Sequence, residues 1–147
     1  MDTVACLCAN LRRAALAVTS LYDDALASSG IKVTQFSLLR AVERRGAANL
    51  TALAEATGLD RSTLGRNLRV LEGLGLVSLS HGDDQRDRVV ELTGRGRTRV
   101  RAAAKAWGRV QASLAGALGA DAERLLGVTR RVADLARAPD RPSRARP

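Results

Sequence analysis

The sequence predicts a mainly α-helical protein with one small β-hairpin. Along most of the chain, apolar residues recur at every third or fourth position, the pattern of helices that bury one face. Between residues 76 and 92 the pattern changes to alternation around a polar tip, which is typical of two short strands. Only 2% of the 147 residues are aromatic, so Leu, Val and Ala have to form the core, and Ala and Leu favour helices.

Two helices are predicted before residue 46. The first covers residues 4–29 and ends at Gly30, and the second covers residues 34–44 and ends at Gly46. Their apolar stripes consist of Val4, Leu7, Leu11, Ala14, Val18, Leu21 and Ala25, and of Phe36, Leu39 and Val42.

The next segment predicts a helix-turn-helix. Asn49 is placed to cap a short helix that Gly58 ends, and Asp60 is placed to cap a helix that runs to about residue 74. Ala54 is small where the two helices must approach, and Gly58 permits the tight turn. The small core behind this pair is expected to be Leu53, Leu59, Leu64, Leu68 and Leu71.

The rest of the chain predicts a hairpin and two more helices. Residues 76–80 and 88–92 alternate around the polar tip at residues 81–87. Thr93 is placed to cap a helix of residues 94–118, and a last helix covers residues 121–137 with apolar residues at heptad spacing.

The chain carries a strong positive charge. Against 15 Asp+Glu stand 24 Lys+Arg, which gives a net charge of +9, and only Lys32 and Lys105 are lysines. The guanidinium fork suits phosphates and guanine edges, so nucleic acid is the first partner expected and an anionic membrane the second. A GC-rich genome would also enrich arginine, so the positions of the arginines have to decide.

Several classes of protein are disfavoured by the sequence. No apolar run approaches the roughly 20 residues of a membrane span, and no signal peptide is visible, so we expect a cytoplasmic protein without a membrane partner. There is no Ser/His/Asp set, phosphate-binding glycine loop or plausible pair of carboxylates, so neither an enzyme nor a cofactor is expected.

One face of the helix at residues 61–74 has the composition of a DNA-reading surface. Leu64, Leu68 and Leu71 share the opposite, apolar face. Hydroxyl, amide and guanidinium groups suit a helix that lies in the major groove. The alternative is a solvated helix face that happens to be basic. The candidate DNA-binding residues are Arg61, Ser62, Thr63, Arg66 and Arg69, with Asn67 at the margin of the face.

The hairpin adds arginines beside this helix. Arg86 and Arg88 lie at its tip near Asp84 and Asp87. A wing arginine can enter the minor groove, and Asp84 is placed to orient Arg86 through a charge-assisted hydrogen bond. A surface hairpin of mixed charge is the alternative. Together the helix and hairpin predict a winged helix-turn-helix that binds DNA, whereas the arginines disfavour a winged-helix module that binds protein.

Two segments resemble one family of regulators. The run from Asp60 to Val77 is similar to the recognition-helix segment of the multiple antibiotic resistance regulator (MarR) family. The sequence Asp84-Gln85-Arg86, followed by Val90-Glu91-Leu92-Thr93 and Gly96, resembles the wing of that family. Asn67 departs from the pattern, because the family usually has an apolar residue there.

The resemblance implies a homodimeric repressor. Residues 1–30 and 94–138 are then dimerisation helices, residues 31–93 the winged DNA-binding region, and residues 139–147 a disordered basic tail. Two winged lobes read the half-sites of a pseudo-palindromic operator in double-stranded DNA, and a small ligand or cysteine oxidation releases them. The apolar stripes of the first and last helices agree with a dimer, although packing within one chain would also use them.

The resemblance also implies a pocket for a small aromatic or phenolic ligand between the dimerisation helices and the winged lobe. Tyr22, Phe36 and Trp107 are the candidate lining residues. Ordinary packing in the core is the alternative for each of them.

Cys6 and Cys8 are redox candidates, and the alternative is that Cys8 is a small buried apolar residue and Cys6 an incidental surface thiol. At this spacing two helical residues face different directions, which places Cys8 on an apolar edge, where burial is expected, and Cys6 on the polar face. The run Leu7-Cys8-Ala9-Asn10-Leu11, with Tyr22 downstream, resembles the sensor-cysteine helix of the organic hydroperoxide regulators of the same family. A metal site is not expected, because the single histidine, His81, lies far along the chain.

Overall fold

A computed structural model of the chain describes residues 6–82 and 88–138. It confirms the mainly helical class with a small sheet, and the chain divides into two compact units, one up to Val110 and one from Gln111. The helices are α1 (Leu7–Leu26), α2 (Val33–Arg45), α3 (Leu50–Thr57), α4 (Arg61–Gly73), α5 (Gly94–Leu118) and α6 (Asp121–Arg137), and the strands are β1 (Ala48–Asn49), β2 (Val77–His81) and β3 (Arg88–Leu92). Within the described residues, no helix has the long apolar stretch that a bilayer crossing requires.

The ends of α3 and α4 follow the predicted local chemistry. The Asn49 side chain accepts a hydrogen bond from the amide of Ala52 at 2.8 Å, which caps α3. Gly58 ends that helix in the left-handed conformation, with φ of 67°. Asp60 then caps α4 by accepting from the amide of Thr63 at 2.9 Å. Residue types at these positions therefore fix the turn between the two helices.

The sheet has three antiparallel strands in the order β1-β3-β2. The predicted hairpin is confirmed, with Val77 opposite Leu92 and His81 opposite Arg88. Strand β1 was not predicted, because two residues are too few for alternation to be visible in a sequence. It pairs Ala48 with Val90 and so attaches the start of α3 to the centre of the sheet.

The core of the first unit lies behind the helix-turn-helix. Leu53, Leu64, Leu68 and Leu71 are buried as predicted, and Leu59 is half-buried against them. The same cluster includes residues of α2, the sheet and the first half of α5, namely Phe36, Leu39, Val42, Val77, Val90, Val100 and Ala103. Burial of this face of α4 leaves its polar face outward, which is what a reading helix requires.

The start of α5 is locked onto the turn that follows α4. The Thr93 hydroxyl donates to the carbonyl of Gly75 at 2.7 Å and accepts from the amide of Gly96 at 2.9 Å. Gly96 is in such close contact that a Cβ there would lie 2.0 Å from the backbone oxygen of Leu76. The end of the candidate reading helix is therefore held in a fixed position by α5.

A second set of bonds connects α1 to its neighbours. Asp23 Oδ1 accepts from the amide of Val33 at 2.7 Å, and its other oxygen lies 3.5 Å from Lys32 Nζ, so an α1 carboxylate caps α2. Arg99 Nη1 donates to the carbonyl of Ser29 at the C-terminal end of the short 3-10 turn Ala27–Ser29 that follows α1. A cation at the carbonyl end of a helical segment is electrostatically favourable.

Both units leave apolar side chains in solvent. In α1, only Tyr22 and Leu26 are buried, whereas Leu7, Leu11, Leu16, Val18 and Leu21 are exposed. In the second unit, none of the residues of α6 is buried, and Leu125, Leu126, Val128 and Leu135 are exposed. Large exposed apolar patches are uncommon on monomeric proteins and often mark interaction surfaces.

Candidate nucleic-acid interface

The N-terminal turn of α4 is organised around one carboxylate. Asp60 Oδ1 accepts from the Ser62 hydroxyl at 2.6 Å, and Asp60 Oδ2 accepts from the Thr63 hydroxyl at 2.6 Å. These hydrogen bonds, first that of Ser62 and then those of Thr63, hold the pKa of Asp60 well below its ordinary value. Asp60 is therefore ionised at neutral pH and fixes both hydroxyl groups on the exposed end of the helix.

Two arginines of α4 are also held by hydroxyl groups. Arg61 Nη2 donates to Thr51 Oγ1 of α3 at 2.8 Å, which ties the two helices of the helix-turn-helix together. Arg66 Nη2 donates to Thr63 Oγ1 at 3.3 Å. Thr51 was not predicted as part of the site, since its role depends on the approach of α3 to Arg61, ten residues away.

Arginines from two elements line one open cleft. The cleft has a volume of about 370 Å³ and lies between α4, the first residue of α3 and the start of β3. Gly65 leaves the middle of its wall without a side chain. The arginine cleft, as we call it, is lined by Leu50, Arg61, Ser62, Gly65, Arg66, Arg69 and Arg88.

The charge of the arginine cleft is uncompensated within the described chain. Over residues 6–82 and 88–138, none of its four arginines forms an ion pair with a carboxylate. Like charges that line one cleft repel one another, and a polyanion that enters the cleft relieves the repulsion. The spacing of Arg61, Gly65 and Arg69, four residues apart, could have located the helical half of the cleft from the sequence.

The structure covers only part of the predicted wing. Arg88 is exposed at the start of β3, opposite the exposed His81, and contributes to the arginine cleft. Asp84 and Arg86, the other two candidate residues of the wing, lie outside the described residues. The end of the paired strands that is nearest the tip thus lies beside the polar face of α4.

Asn67 is separated from the arginine cleft. It lines two other cavities, both shared with Thr34 and Leu38 of α2. One has a volume of about 140 Å³ and reaches Lys32, and the other has a volume of about 410 Å³ and reaches Arg44. Asn67 therefore lies on the flank of α4 that faces α2, consistent with its predicted place at the margin of the reading face.

The three aromatic residues come together in one cluster. The ring centroids of Tyr22 and Trp107 are 6.4 Å apart, and those of Phe36 and Trp107 are 5.9 Å apart. Tyr22 and Phe36 are buried and Trp107 is half-buried, and burial raises the pKa of Tyr22. In this conformation the rings pack on one another, so the cluster serves as part of the core.

The predicted burial of Cys8 is wrong. Both Cys6 and Cys8 are exposed, and from Cys6 to Leu21 no residue is buried. Because none of the first turns of α1 is buried in the described chain, an apolar edge there does not lead to burial. Cys6 precedes the helix in an extended conformation, so the two thiols do not belong to one regular helix.

Comparison with known proteins assigns the family. A profile of the MarR family matches residues 29–87. The crystal structure of the M. tuberculosis transcriptional regulator MosR in complex with DNA is 35% identical, with a TM-score of 0.81, and the match covers 90% of this chain and 99% of that one. The chain belongs to the MarR family. It is accordingly a DNA-binding transcriptional regulator with a winged helix-turn-helix, and not an enzyme.

Two further proteins of known structure have a similar fold. The regulator PcaV from Streptomyces coelicolor, solved in complex with its natural ligand, is 25% identical with a TM-score of 0.83, and the match covers 92% of this chain and 97% of that one. BpsR from Bordetella bronchiseptica, whose DNA binding is regulated by 6-hydroxynicotinic acid, is 25% identical with a TM-score of 0.81, covering 91% and 97%. No curated protein sequence matches the chain significantly.

Proposed function

We propose that this MarR-family regulator is a homodimeric repressor that binds a pseudo-palindromic operator through the arginine cleft. The observation that carries the proposal is a set of four arginines, from α4 and from the tip end of β3, without carboxylate partners in the described chain. Arginine binds phosphates and guanine edges with two parallel hydrogen bonds. In the proposed complex α4 lies in the major groove and the hairpin follows the flanking backbone.

The wing tip completes the proposed reading unit. Arg88, at the tip end of β3, already lines the arginine cleft, so we assign the wing to the DNA as well. We assign Arg86 to the minor groove and Asp84 to the orientation of Arg86, as the wing sequence implies.

The dimer in this proposal uses the apolar side chains that a single chain leaves exposed. Residues 1–30 and 94–138 supply them, through the stripe of α1 and, separately, through Leu125, Val128 and Leu135 of α6. Covering a leucine that is otherwise in water contributes about 2 kcal/mol. The dimer places two copies of the winged region, residues 31–93, on two half-sites, and an isologous dimer matches the symmetry of a pseudo-palindrome.

A mobility-shift assay tests the repressor proposal. The full chain is titrated into random duplex and into the promoter of its own gene, at several salt concentrations. A repressor of this kind binds both, binds its own promoter more tightly, and loses affinity steeply as salt rises. Binding to neither duplex, or equal binding to both that does not depend on salt, would contradict the proposal.

A small aromatic ligand is the proposed signal for release. Support comes from two relatives, one solved with its natural ligand and one regulated by 6-hydroxynicotinic acid. We assign Tyr22, Phe36 and Trp107 to the site, which requires the aromatic cluster to open. Trp107 is the single tryptophan, so quenching of its fluorescence reports binding directly. Aromatic carboxylates that quench Trp107 and release DNA at the same concentrations support the assignment, and quenching without release opposes it.

Thiol oxidation is the second candidate signal, favoured by the exposure of Cys6 and Cys8. A peroxide ROOH oxidises one thiol to a sulfenic acid and leaves as ROH, and a second thiol then displaces water to form a disulfide. Operator binding is compared before and after stoichiometric peroxide in the parent, Cys6→Ser and Cys8→Ser proteins. Binding that is unchanged by peroxide in the parent ends this candidate.

A further inference from the structure

The candidate reading helix begins with two hydroxyl groups that already donate their protons in hydrogen bonds within the protein. The hydroxyls of Ser62 and Thr63 each donate to a different oxygen of Asp60 at 2.6 Å, and Thr63 Oγ1 accepts from Arg66 at 3.3 Å. A hydroxyl group has one proton and two lone pairs. Ser62 therefore keeps two lone pairs, and Thr63 one, for a donor outside the protein.

Asp60 keeps the protons of both hydroxyl groups directed toward its own carboxylate. Its lowered pKa makes it a carboxylate at neutral pH, and a carboxylate can only accept hydrogen bonds. For Ser62 or Thr63 to donate outward, a short charge-assisted bond to that carboxylate has to be broken. Both hydroxyl groups consequently face the solvent, and any bound DNA, as acceptors.

Few groups on duplex DNA can donate to such acceptors. In the major groove the donors on base edges are the N6 amino group of adenine and the N4 amino group of cytosine. Guanine O6 and N7, thymine O4 and every phosphate oxygen are acceptors. An acceptor-only hydroxyl is thus unsuited to the phosphate backbone, which leaves the phosphates to the arginine cleft.

We propose that Ser62 and Thr63 read the exocyclic amino groups of adenine or cytosine in the major groove, and that Asp60 is the positioning residue that imposes this choice. The inference rests on the proposed DNA-binding function and adds to it the chemistry that two named residues recognise. On the N-terminal turn of α4, Ser62 is exposed and Thr63 is half-buried, and Ser62 lines the arginine cleft, beside the groups assigned to the backbone.

Deletion of single atoms from DNA tests the base chemistry. The full chain first selects its preferred sequence from duplexes with a randomised central stretch. At each pair of that sequence, adenine is then replaced by purine, which lacks the N6 amino group, and cytosine by 2-pyrimidinone, which lacks the N4 amino group. Loss of one hydrogen bond weakens binding by about fivefold. We expect such a loss at one or two neighbouring pairs, where 7-deazaadenine, which lacks only the N7 acceptor, binds normally.

Variants of Ser62, Thr63 and Asp60 test whether these side chains cause the dependence on the amino groups of the bases. In Ser62→Ala and Thr63→Val the sensitive pairs should tolerate loss of the amino group, because no acceptor remains opposite them. In Asp60→Asn the amide keeps one oxygen for the helix cap but offers an N–H₂ group to one hydroxyl, whose proton then turns outward. Asp60→Asn should therefore accept thymine or guanine at one pair that the parent restricts to adenine or cytosine.

Asn49→Ala is the matched control, since it removes the equivalent cap from α3 and leaves the hydroxyl groups of α4 in place. It should select the same sequence as the parent. If the parent binds no duplex, this inference and the proposed function both fail. If the parent selects a sequence but tolerates loss of every amino group, DNA binding stands and this inference is wrong. The same holds if all three variants still need the amino groups that the parent needs. The measurements on the parent decide the question even if a variant does not fold.

Discussion

At the scale of single residues, the arginine cleft combines side chains that are far apart in sequence. Arg61 and Arg69 lie on one side of α4, and their helical spacing could be read from the sequence. Arg88 joins them only because β3 brings the tip end of the hairpin beside α4. Leu50 and Thr51 enter the site because α3 approaches α4, so no local pattern indicated them.

Arg86→Ala tests the assignment of the wing tip to DNA. We expect operator binding to weaken by at least about tenfold, the effect of losing a charge-assisted contact to a groove, while the dimer stays intact. Fluorescence anisotropy with labelled operator measures the affinity, and sedimentation measures the dimer. An Arg86→Ala protein that binds as the parent does would mean that the wing assignment is wrong.

Asp60→Asn tests the state of the carboxylate at the start of α4. A carboxyl whose pKa is lowered by folding stabilises the folded state above its ordinary pKa, and this stabilisation is lost as the pH falls toward the folded value. Asparagine does not titrate. The parent should therefore melt at a higher temperature than Asp60→Asn at pH 7, and the difference should shrink toward pH 3. A difference that is constant over this range would show that Asp60 is not held by Ser62 and Thr63 in solution.

At the scale of elements, local chemistry predicted the boundaries and tertiary contacts set the rest. Asn49 and Asp60 cap α3 and α4 as predicted, because a cap needs only the side chain and the amide three residues later. Strand β1 depends on pairing with Val90, over 40 residues away, and its two residues carry no pattern. The exposure of Cys8 was misjudged because an apolar edge does not say whether anything covers it.

Gly96→Ala tests the lock between α5 and the turn after α4. The new Cβ would meet the backbone oxygen of Leu76, which cannot move aside as a flexible side chain can, so we expect a loss of about 1–3 kcal/mol in the free energy of unfolding. Gly108→Ala is the control in the same helix. Nothing lies within 4 Å of a Cβ there, so the higher helix propensity of alanine should raise stability by up to about 1 kcal/mol. Urea unfolding measures both changes. Equal changes in the free energy of unfolding would argue against a tight contact between Gly96 and the backbone of Leu76.

At the scale of the whole molecule, the exposed apolar helices and the high net charge both fit the proposed dimer that binds DNA. Two copies of the chain carry twice its +9 charge, or +18, and present two arginine clefts to one duplex. The heptad spacing in the last helix was visible in the sequence, whereas the extent of its exposure was not.

Leu125→Glu tests the assignment of α6 to the dimer. Symmetry repeats the substitution in both copies, so the dissociation constant of the dimer should rise by at least about tenfold. Arg130→Ala changes the charge of the chain by the same amount on the opposite side of α6 and should leave the dimer unchanged. Analytical ultracentrifugation compares the two. A Leu125→Glu protein that dimerises like the parent would place the dimer contact elsewhere.

The salt dependence of binding to random duplex tests the arginine cleft most directly. The logarithm of the association constant is plotted against the logarithm of salt concentration for the parent and for Arg69→Ala/Arg88→Ala, with Arg109→Ala, on the exposed surface of α5, as the control. Each phosphate contact contributes about 0.9 to the slope. The account predicts a slope shallower by about 2 or more for the double variant and a parental slope for Arg109→Ala. Parental slopes for both proteins would contradict the assignment of DNA binding to the cleft.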